Sequence, residues 1–90
     1  MAQAQVDPTE LRRFAKALNR FNGELQTLIS AQHAQLVELG LTWRDQEHRK
    51  FCDQLDQTMK TLNRFLDLSN EHVSFLMKKA GHVDNYLRQR

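Results

Sequence analysis

Ninety residues set one domain, 1–90, as the working count, and 40% apolar with 27% charged residues is an ordinary globular balance. One Pro and three Gly are too few turn residues for a β-rich fold of this length, so the composition points to an all-α chain. A net charge of +2 does not imply nucleic acid unless it is concentrated, and the single Cys excludes an intrachain disulfide.

The first segment, Met1–Val6, has neither the basic n-region nor the apolar h-region of a cleavable signal. No apolar run approaches the roughly 18–20 residues that a membrane span needs. The expectation is a cytoplasmic chain, exported only by a route that needs no cleavable signal peptide.

Asp7-Pro8-Thr9-Glu10 then starts a helix. Asp is a preferred N-cap, Pro suits the first helical position, and Glu at N3 can reach back to the N-cap amide. Leu11, Phe14, Leu18, Phe21, Leu25 and Leu28 follow in steps of 3 and 4, a heptad seam. Asn22-Gly23 interrupts the composition but not the phase, so one helix is expected over about 8–39.

Gly40 reads as a helix-stopping residue with positive φ. Thr42 reads as the cap of a second helix, with Asp45 in the capping-box position. A turn over 40–42 is so short that the helices must fold back antiparallel. Helix 2 is expected over about 43–88. Its seam is Cys52, Leu55, Met59, Leu62, Leu66, Ser69, Val73, Leu76, Ala80, Val83 and Leu87, and a second lane holds Phe51, Phe65 and Tyr86.

Paired outward from that turn, Leu25 lies near Leu55 to Met59 and Leu11 near Val73, leaving Leu76 to Leu87 overhanging. A lone hairpin has no enclosed core and leaves the second lane in water. The expected remedy is a second copy, or a paralogous hairpin, closing a four-helix bundle. Trp43 is expected to pack over the hairpin end, partly buried, near Leu36 and Leu39.

Trp43-Arg44-Asp45 at the turn, with Phe51 eight residues after the Trp, resembles the WXG family of ESAT-like helical hairpins associated with type VII secretion. The resemblance implies a small protein–protein interaction module, an adaptor or a secreted effector component. Two positions depart from the family pattern. Asp45 stands where the motif has Gly, and Tyr86 is followed four residues on by Arg90 rather than by the acidic residue of the secretion signal.

No other chemistry gathers in the sequence. His48 and Cys52 are spaced to share a helix face, but two ligands do not make a zinc site, and a nucleophilic Cys52 lacks an oriented triad. No Glu-x-x-His pattern of a di-iron bundle occurs. The sequence therefore suggests no catalytic residue, metal or cofactor. Arg12, Arg13, Lys16 and Arg20 form the one basic cluster, and they carry the alternative reading of a nucleic-acid-associated or regulatory dimer.

Overall fold

The computed structural model describes residues 6–89. Met1–Gln5, where most of the leader reading falls, and Arg90, which ends the Tyr86 spacing, lie outside the described residues. The fold is two long helices, α1 (Pro8–Leu39) and α2 (Gln46–Arg88), laid antiparallel in a rod of 68 × 16 × 13 Å.

Each helix begins where a carboxylate can hold free amides. Asp7 has extended backbone, and its side chain accepts from the Thr9 N–H at 2.8 Å, with Pro8 just inside the helix. Glu10 turns outward to pair with Arg13 instead of reaching back to the cap. α1 then runs unbroken through Asn22-Gly23. α2 likewise runs unbroken through Lys78-Lys79-Ala80-Gly81.

The turn differs from the sequence expectation in three respects. Gly40 has φ −63°, a right-handed helical value, and no described residue has positive φ. The amides of Leu41, Thr42 and Trp43 instead take up the Glu38 and Leu39 carbonyls at 3.0–3.1 Å, so the last turn of α1 is closed without a left-handed residue. Thr42 is not the cap of α2: its hydroxyl donates back to the Leu39 carbonyl. Asp45 is the cap, with Oδ1 accepting from the His48 N–H at 2.9 Å, and the turn therefore spans 40–45.

The longer turn changes the register. Asn22 meets Ser69 and Asn70, Phe21 meets Phe65, and Arg12 pairs with Asp84. Partners on α2 are thus displaced toward its C-terminus from the expected pairing, by about two helical turns at Asn22. Three residues are used in the extra length of the turn, and Gly40 already lies level with His48. The expected overhang is absent: Ala80 and Val83 are buried, and only Leu87 at the end of the seam is exposed.

On α2 the heptad seam from Cys52 to Val83 is half-buried or buried throughout. On α1 the inward lane is Leu11, Ala15, Leu18, Asn22, Leu25, Ile29 and Leu36. Phe14, Phe21 and Leu28, expected in the seam, stand outside it at 61%, 49% and 61% exposure. α1 is rotated from the expectation by roughly half a residue step, about 50°. Small or polar residues, Ala15, Asn22, Ser69 and Ala80, fill much of the contact line and let the helices approach closely.

Candidate functional site

Rotation of α1 builds one face of the rod. Phe14, Phe21 and Leu28 recur every seven residues along it. On α2, Phe65, Leu68, His72 and Phe75 step by 3, 4 and 3, which keeps them in one lane of the helix surface. Phe21 and Phe65 make an edge-to-face contact with centroids 6.3 Å apart, so the two lanes adjoin. Phe51 and Tyr86 continue the α2 lane at heptad spacing toward the two ends. All of these apolar side chains are exposed.

The other side of the helix pair carries the polar contacts between the helices. Asn70 bonds Asn22, and Asp84 pairs with Arg12. A mixed cleft there is lined by His33, Cys52, Asp53 and Asp56 together with Leu36, Leu55 and Met59. The aromatic side chains thus gather on one side of the rod, and the polar contacts between the helices lie on the other, which also exposes Val37 and Met77. Exposed apolar surface gathered in this way is a common feature of protein–protein contact regions.

At the tip, Trp43 is half-buried. Its ring lies tilted on His48 and Phe51, with centroids 4.9 and 5.7 Å away, while its amide bonds the Leu39 carbonyl. The aromatic residue eight positions after the Trp is therefore one wall of its seat. Gly40 serves that seat by its lack of a side chain: a Cβ there would come within 3.3 Å of the Val37 carbonyl oxygen and 3.5 Å of the His48 ring. Asp45, in the position of the motif's Gly, supplies the cap that Gly has no side chain to provide.

The remaining sequence candidates resolve into local contacts. His48 Nε2 and Cys52 Sγ are 3.3 Å apart, a hydrogen-bonded pair. Among the described residues, no three His, Cys, Asp or Glu are placed to hold a metal ion. Arg12, Arg13 and Arg20 of the basic cluster each pair with a carboxylate, Asp84, Glu10 and Glu24 respectively. These ion pairs offset most of the charge that a phosphate backbone would meet. No described helix is long and apolar enough to cross a membrane. Sequence reasoning missed Asn22: it carried one helix through Asn22-Gly23 but did not place Asn22 in the contact line.

The fold is thus a small two-helix rod with aromatic side chains exposed along one side and a Trp-centred tip. The family model described as "Proteins of 100 residues with WXG" (WXG100) matches residues 3–85, and the chain belongs to this family. WXG100 is a family of small, non-enzymatic helical proteins that is linked to secretion. No curated protein matches the chain.

Proposed function

We propose that this protein is a non-enzymatic interaction module that works by pairing its apolar face with a second helical hairpin, in the first instance another copy of itself. The four helices then enclose Phe14, Phe21, Leu28, Phe65, Leu68 and Phe75 as a shared core. The observation that carries this reading is the exposure of these six side chains on one side of the rod.

Area and charge support it. The chain exposes 7440 Å², against about 5,500 Å² for a compact monomer of this mass. The excess is larger than the roughly 800 Å² per partner of a standard interface. The open half of the rod, residues 7–22 and 68–89, carries seven basic and four acidic residues, whereas the tip half, 23–67, carries five basic and seven acidic. Stacking two copies with tips at opposite ends sets unlike halves against each other. Members of the family typically self-associate or pair, in keeping with this reading. The family's link to secretion supports an adaptor or secreted-effector role.

Sedimentation equilibrium at micromolar concentration tests the pairing. The expected species is twice the 10.6 kDa chain mass. A folded monomer across the accessible concentration range overturns self-pairing and leaves a paralogous hairpin as the partner to seek.

A further inference from the structure

We propose that the buried Asn22–Ser69 pair, closed at its rim by Asn70, is a positioning device that holds α1 rotated so that Phe14, Phe21 and Leu28 face outward. Hydrophobicity alone favours the other rotation. Turning α1 by about 50° would bring three large apolar side chains inward in place of Ala15, Asn22 and Ile29. The chain instead buries Asn22 to 3% exposure and leaves Phe21 at 49%. Adjacent residues thus stand in the reverse of their hydrophobic order.

The hydrogen bonds explain how this arrangement persists. Ser69 Oγ donates to Asn22 Oδ1 at 2.6 Å, and Asn22 Nδ2 donates to Asn70 Oδ1 at 3.1 Å. No buried side-chain nitrogen or oxygen among the described residues lacks a partner. Ser69 is itself 2% exposed. Rotation of α1 would break both bonds and strand the Ser69 hydroxyl against apolar surface, and an unpaired buried polar group is costly. The same cluster selects register. A slide by one heptad sets Asn22 against Leu62 or Leu76, neither of which has a side-chain partner to offer. Buried polar residues are known to specify one arrangement at the expense of stability. Here the arrangement specified is the one that presents the aromatic lane, whatever partner covers it.

Thiol protection at Ile29 tests the device. Ile29 shares the inward lane with Asn22, and it faces α2 whether or not the outer face is paired. In a Cys52→Ala background, an Ile29→Cys thiol should be protected from a maleimide. Ser69→Ala/Asn70→Ala should raise its reaction rate by about tenfold or more, the scale set by one unpaired buried amide, while helical circular dichroism is kept. Ser69→Thr retains the hydroxyl and should retain the protection. Should the double variant lose its helix, Ser69→Ala alone carries the same two readings. Unchanged protection in a helical Ser69→Ala variant, or equal loss in Ser69→Thr, overturns the proposal.

Discussion

Phe21 of α1 and Phe65 of α2 meet edge to face across the hairpin, ring planes at 87°, yet each leaves nearly half of its surface in water. The contact joins the helices on the side where the core is open. Within one hairpin such an aromatic pair contributes about 0.5–1.5 kcal/mol beyond its burial. The rest of the apolar surface is available to a partner.

Phe21→Ala and Phe65→Ala should therefore act mainly on association. Each should weaken self-pairing by about tenfold or more, as loss of an aromatic anchor at an interface does. The melting temperature should fall with dilution, because folding and pairing are linked by mass action. Sedimentation equilibrium and melting at two concentrations read both effects. Dimers of unaltered affinity in both variants would place the interface elsewhere.

Gly23→Ala should stabilise the protein. Gly23 lies in the middle of α1, is exposed, and has no atom within 4 Å of where a Cβ would stand. Ala in an exposed helix interior is better than Gly by about 1 kcal/mol. The melting temperature should rise by about 4–8 °C for a chain of this size. A fall instead would mean that something in the assembled protein approaches this backbone closely.

Helix 2 was legible in the sequence because its heptad phase and its burial agree from Cys52 to Val83. Helix 1 was legible as a helix but not in its rotation. Phe14, Phe21 and Leu28 compete with Ala15, Asn22 and Ile29 for the inward side, and periodicity favours the larger side chains. The deciding term is a set of hydrogen bonds between residues 47 and 48 positions apart, which no local pattern encodes. The turn was misread for a local reason. Thr42 and Asp45 are both good caps, and their order along the chain does not tell which one meets the first free amide of α2.

That choice can be checked by substitution. Asp45→Ala removes the carboxylate that accepts from the His48 N–H and should cost about 1 kcal/mol in urea unfolding, the usual worth of an N-cap. Thr42→Ala removes only an exposed 3.3 Å bond to the Leu39 carbonyl and should stay within about 0.5 kcal/mol of the parent. A larger loss at Thr42 than at Asp45 would restore the shorter turn.

Trp43 joins stability to the chemistry of the tip. Its ring rests on His48 and Phe51, its amide closes α1, and part of its surface faces solvent. Trp43→Ala should cost about 1–3 kcal/mol, less than the 3–5 kcal/mol typical of a fully buried aromatic. Phe51→Ala should cost less again, and the double variant should lose less than the two single losses combined, because the rings share one contact. In the intact protein the Trp43 emission should lie between the buried and fully hydrated limits, with iodide quenching partly suppressed. Its quenching should not change on self-pairing if the interface is the Phe14–Phe21–Leu28 face along the rod. Quenching equal to that of free tryptophan, together with a Trp43→Ala loss below about 0.5 kcal/mol, would instead make the tip a docking point that contributes nothing to the fold.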